Sequence, residues 1–137
     1  DNTITAWNHY RMSPSLSNWI QKVKDFGFKI CLLSNNKQHK VQKFAVELGV
    51  IAAPTGGKPS VKAFQSALAA LQSTKDNTIV IGDQIFTDIL GGNRAGLYTI
   101  LVDPVDTREF AGTKINRLLE RLLVGRRLTC KSHPKQE

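Results

Sequence analysis

A three-layer α/β domain with a mostly parallel central sheet is the fold this sequence predicts, and three observations predict it. Segments with apolar residues at helical spacing alternate with short strand-like runs. The connections between them are short, so consecutive elements are spatial neighbours. One run, FKICLLS (28–34), is apolar almost throughout, as strands covered on both faces are.

Each element has its own signal. Leu16, Trp19, Ile20, Val23 and Phe26 mark a first helix, with Ser13 as cap, Pro14 in the first turn and Gly27 as stop. The 28–34 strand follows. Val41, Phe44, Ala45 and Leu48 mark a second helix closed by Gly49, and VIAA a short strand. After the loop PTGGKP, Val61, Phe64, Leu68 and Leu71 mark a third helix. TIVIGD (78–83) is a β-branched strand ending in a Gly-Asp turn. A helix over 86–95 stops near Gly96, and LYTILV (97–102) is the last clear strand. Residues 1–125 are expected to form the core, with 126–137 a basic, disordered tail.

With 137 residues the chain fits one domain. Its 41% apolar residues suit a soluble globular protein, and no apolar run nears the ~18 residues of a membrane span. Cys31 and Cys130 form no CxxC; Cys31 sits in the apolar run ICLL and reads as a core residue, in a reducing compartment. The three histidines show no metal-ligand spacing. Of the net charge of +8, +5 lies beyond Thr107. That asymmetry implies an acidic partner, or a tail that merely solubilises.

In α/β sheets of this kind, sites form outside the carboxyl ends of the strands. The residues there are Asp1-Asn2-Thr3, Ser34-Asn35-Asn36, Lys58-Pro59 before the third helix, Gly82-Asp83, and then Thr87-Asp88. Carboxylates to hold Mg²⁺, a hydroxyl for phosphate oxygens and a lysine for their charge are the parts of a phosphoryl-transfer site. Asp83 and Asp88 also suit the start of a helix, Ser34 and Asn36 also suit caps, and a lysine at 58 alone also suits a surface. Arg94 fits the end of its helix better than a substrate clamp, and its neighbour Asn93 lies late on the same helix.

Taken in order, "DNT", "LLSNN", "GGKP" and "GDQIFTD" resemble the four motifs of the haloacid dehalogenase (HAD) superfamily of phosphatases. The longer string VIGDQIFTDILGGNRAGLYTILV resembles the YqeG family of subclass IIIA, which includes relatives of phosphatidylglycerophosphate phosphatases. The similarity covers about residues 1–123. It implies a HAD-like, Rossmannoid core and a Mg²⁺-dependent phosphomonoester hydrolase working through an aspartyl-phosphate.

Residue by residue, the resemblance assigns Asp1 as general acid and base and as a metal ligand through its carbonyl. It assigns Ser34 and Lys58 to catalysis and phosphate binding, and Asp83 and Asp88 to the metal. Asn35 and Asn36 are candidates for contact with substrate or with the residues that hold it, and Thr3 is a brace for its loop or the start of a turn. The nucleophilic aspartate would lie two residues before Asp1, on a strand central to the sheet. The natural chain is therefore expected to extend upstream, and residues 1–137 alone to be inactive. A second register makes Asp1 the nucleophile, with Thr3 at the +2 position.

Spacing leaves no room for a cap domain: Thr3 to Ser34 holds a loop and one helix, and Ser34 to Lys58 one helix and a short strand. An open site suits a large or interface-bound phosphate ester such as phosphatidylglycerophosphate. The alternatives are a soluble sugar or nucleotide phosphate as substrate, or a non-catalytic phosphate-binding or scaffold module. Ile115, Leu118, Leu119, Leu122 and Leu123 form an apolar stripe beside Lys114, Arg117 and Arg121. The stripe packs on the sheet as a last helix, or it lies on an anionic membrane. Location is accordingly expected to be cytoplasmic, peripheral at a membrane in the second case. No aromatics interleave with the arginines, which argues against nucleic acid.

Overall fold

A computed structural model of the chain describes residues 3–4, 14–54 and 57–105. Along the chain run α1 (Pro14–Asp25), β1 (Cys31–Leu32), α2 (Gln38–Leu48), β2 (Ile51–Ala52), α3 (Val61–Leu71), a 3₁₀ turn (Lys75–Asn77), β3 (Ile79–Gly82), a π-helical turn (Ile85–Ile89), α4 (Leu90–Arg94) and β4 (Tyr98–Leu101). This is the predicted α/β alternation. Asp1, Ser13, Cys130 and the 115–123 stripe lie outside the described residues.

The helices form where the apolar spacing put them. Val41, Phe44, Ala45 and Leu48 are buried along one face of α2 and pack with Ile20 of α1 and Leu32 of β1. Gly49 ends α2 in the left-handed conformation (φ 62°), which lets its N–H reach back to the Val46 carbonyl at 3.1 Å. On α3, Ala63, Phe64 and Leu71 are buried. This helix packs against β1, β2 and α4. Gln72 rather than a glycine adopts the left-handed turn that ends it (φ 53°).

The strands differ from expectation in extent. All ladders are parallel, but they form two pairs: β1 with β2 through Cys31↔Ile51 and Leu32↔Ala52, and β3 with β4 through Ile79↔Tyr98 to Gly82↔Leu101. The seven-residue run at 28–34 contributes only two residues to a ladder, because strand extent is set by a partner and β2 offers two. Between the pairs lies a cavity of about 160 Å³, lined by Cys31, Leu32 and Leu33 on one side and by Ile79, Val80 and Ile81 on the other. Thr3 and Ile4 also line it. Among the described residues no ladder joins β1 to β3.

One face of β3–β4 is covered by α4: a Cβ at Gly92 would sit 2.6 Å from Thr99 Cγ2 and 3.3 Å from Val80 Cγ2, so only glycine allows this approach. Alternation sends Ile79, Ile81, Tyr98 and Ile100 to the other side, where all four are exposed among the described residues. No described helix is long and apolar enough to cross a membrane.

Candidate active site

Of the predicted residues, Lys58 and Asp88 are in contact, Ser34 follows β1 and Asp83 follows β3. After β1, the Ser34 hydroxyl accepts a hydrogen bond from the Asn36 N–H at 3.1 Å, closing a tight turn. Asn36 Oδ1 in turn accepts from the Lys37 N–H at 2.8 Å, although α2 itself starts at Gln38 without a side-chain cap. Asn36 therefore braces the loop one residue before the position a helix cap would take.

After β3, Asp83 is 3% exposed and Asp88 4% exposed. Two carboxylates this deeply buried need partners. Asp83 Oδ1 accepts from the Thr3 hydroxyl at 2.5 Å, across 80 residues of chain. Asp88 Oδ1 is paired with Lys58 Nζ at 2.6 Å, and Asp88 Oδ2 accepts from the Gln84 N–H at 3.1 Å. The Lys58 side chain is 12% exposed, so this is a largely desolvated ion pair.

Local chemistry explains how Asp88 reaches that position. The chain leaves β3 into a π-helical turn instead of the α-helix expected at 86. Such a wide turn re-aims side chains and is frequent at functional sites. Gly82 is required beside it, because a Cβ there would collide with the Asp88 side chain. Thr87, also buried, donates to Gln84 Oε1 at 2.9 Å and holds the start of the turn.

Asn35, a candidate for contact with substrate or with the residues behind it, turns its amide onto the loop before α3: Oδ1 accepts from the N–H groups of Gly57 (2.9 Å) and Lys58 (2.8 Å), and Nδ2 donates to the Lys58 carbonyl (2.9 Å). Thr3 lies in a turn, and its hydroxyl braces Asp83. Gln84 carried no sequence signal beyond lying inside the GDQIFTD string, whereas Gly82 and Thr87 stand among the strand-end residues beside the two aspartates. Arg94 ends α4, in its last turn, where a cation opposes the helix dipole.

Cys31 is part-buried at the cavity wall, and desolvation raises its thiol from 9.0 to about 11. It belongs to the wall, where burial disfavours its thiolate. Among the described residues no group of three or more His, Cys, Asp or Glu converges on a metal position. Asp83 and Asp88 are the two carboxylates at hand.

A parallel α/β core with a serine loop, a lysine and two buried aspartates gathered at its strand ends defines a hydrolase of the HAD type. The profile described as HAD-hydrolase-like matches residues 55–112. "Probable phosphatase YqeG" of Bacillus subtilis is 39% identical over 124 residues, covering 90% of this chain and 72% of that protein. The chain belongs to the YqeG family of HAD-type phosphatases. The chloroplastic and mitochondrial phosphatidylglycerophosphate phosphatase 1 of Arabidopsis thaliana is 29% identical over 129 residues, covering 86% of this chain and 37% of that protein. Among solved structures, β-phosphoglucomutase from Clostridium difficile shares the fold, with a TM-score of 0.54 at 18% identity over 80% of this chain and 57% of that one.

Proposed function

We propose that the site hydrolyses a phosphomonoester, with Mg²⁺, through an aspartyl-phosphate, and that the preferred ester is a phospholipid headgroup phosphate. The observation that carries this reading is the Lys58–Asp88 pair set beside Asp83 at the end of β3. It supplies a fixed cation and a buried carboxylate where a transferring phosphoryl group needs charge neutralised.

In this reading an aspartate carboxylate attacks phosphorus, and the P–O bond to the alcohol breaks. Asp1 protonates the departing alkoxide. Asp1 then takes a proton from water, which attacks phosphorus, releases inorganic phosphate and regenerates the carboxylate. Ser34 hydrogen-bonds a phosphate oxygen, and Lys58 offsets the developing negative charge.

For the metal, Asp83 is a hard oxygen ligand at a strand end, which fits Mg²⁺. Asp88, which also pairs with Lys58 and accepts from the Gln84 N–H, would hold the metal directly or through water. Bound Mg²⁺ supplies charge neutralisation for the phosphoryl oxygens.

The lipid preference rests on the named activity of the Arabidopsis relative, on the absence of room for a cap, and on the basic stripe beyond Thr107. The test uses full-length protein and a panel of phosphate esters, including phosphatidylglycerophosphate in mixed micelles, with and without Mg²⁺. Turnover that needs Mg²⁺ and falls at least about a hundredfold in Asp83→Asn is expected. No turnover of any ester, or undiminished turnover in Asp83→Asn, overturns the hydrolase reading. Faster turnover of soluble sugar or nucleotide phosphates than of the lipid overturns the lipid preference. Equal sedimentation with anionic and neutral vesicles overturns the membrane contact.

A further inference from the structure

We propose that Asn35 is the positioning residue for Lys58: its side-chain amide holds the Gly57–Lys58 backbone so that the Lys58 ammonium meets Asp88. The activity part of this inference rests on the phosphatase reading above; the geometric part does not.

Three contacts carry it. One amide group accepts the N–H groups of Gly57 and Lys58 on Oδ1 and gives an N–H to the Lys58 carbonyl. Both backbone polar groups of Lys58 are thus held by one side chain, much as a neighbouring strand would hold them. Asn35 stands at the end of β1, and its partners are 22 and 23 residues further along. The loop it grips lies between β2 and α3, and Gly57 there has φ 98°, a conformation few other residues adopt. The only described backbone bond of Gly57 with its own loop is its carbonyl accepting from the Ser60 N–H at 2.8 Å.

The chemistry selects asparagine. Aspartate would keep both N–H acceptances but would face the Lys58 carbonyl with a carboxylate oxygen and no donor. Serine is too short to make all three bonds, and alanine makes none. Asn35 is exposed and outside every helix and strand, so replacing it removes no core contact. Its effect should be on where Lys58 sits, more than on whether the chain folds.

The test compares full-length wild type, Asn35→Ala and Asn35→Asp. Two readouts are used: the acylation rate of the Lys58 amine with acetic anhydride, resolved by peptide mass spectrometry, and kcat and KM on p-nitrophenyl phosphate. Lys58 is expected to label slowly in wild type, at least about fivefold faster in Asn35→Ala, and at an intermediate rate in Asn35→Asp. In the same order kcat is expected to fall, by about ten- to a hundredfold in Asn35→Ala, with KM within about threefold. Unchanged Lys58 labelling in Asn35→Ala overturns the proposal. Faster labelling with kcat within twofold of wild type also overturns it, because Asn35 would then brace the loop without serving catalysis. If wild type turns over no ester, the phosphatase reading fails separately, and the labelling still decides whether Asn35 positions Lys58.

Discussion

Replacing Lys58 by methionine separates the worth of the ion pair from that of the residues around it. The Asp88 carboxylate is 4% exposed and would keep a single hydrogen bond, from the Gln84 N–H at 3.1 Å. Breaking a buried pair by removing one partner costs about 3–5 kcal/mol, since an uncompensated charge stays behind. The double variant Lys58→Met/Asp88→Leu removes both charges and strands only the Gln84 N–H. An unsatisfied buried donor costs about 1–3 kcal/mol. The double variant is therefore expected to be more stable than Lys58→Met alone, by about 2 kcal/mol. Urea unfolding of full-length protein, followed by circular dichroism, measures both values with the wild type and the Asp88→Leu single variant to complete the cycle. A loss below about 1 kcal/mol in Lys58→Met, or a double variant as unstable as that single, would refute the claim that the pair is desolvated.

Two further expectations concern the scaffold. At Gly91 an added Cβ would collide with the Phe64 ring and lie 3.0 Å from Pro59 Cα, so Gly91→Ala should lower stability by about 1–3 kcal/mol, and Phe64→Leu in the same chain should recover part of it on urea unfolding. Cys31, with its thiol raised to about 11, should have a thiolate fraction about a hundredfold below that of a free thiol at pH 8, giving slow iodoacetamide labelling of its peptide. The raised value also carries a stability effect of definite sign: this contribution is intact below pH 9 and is lost as pH rises from 9 towards 11, because the unfolded thiol ionises first.

The helices were legible because their signal is local. Val41, Phe44, Ala45 and Leu48 follow one another at the spacing of a single face, and that face is buried wherever a helix forms. The strands were legible in place and not in length, since a ladder needs a partner, and among the described residues β1 has one only at Ile51 and Ala52. The π-helical turn left no mark, because a widened turn has no period of its own to read. In the site, residue types announced Ser34, Lys58, Asp83 and Asp88, which the structure brings to the strand ends. Nothing local could announce that Asn35 grips a backbone 23 residues away, or that Thr3 bonds Asp83 across 80.

Those two long-range contacts have a common consequence. The site draws its residues from both ladders: Ser34 and Asn35 follow β1, while Asp83 and Asp88 follow β3. Among the described residues no strand hydrogen bond links the two ladders, and side chains make the contacts between these groups. Asn35 holds Lys58, Lys58 reaches Asp88, and Asp88 is fixed to the start of its own turn by the Gln84 N–H. Gly82 lets Asp88 lie against the end of β3, so the chain of contacts that begins at one ladder ends on the other. A perturbation at either end is transmitted to Lys58, which is why an exposed asparagine and a buried glycine are expected to affect the same amine.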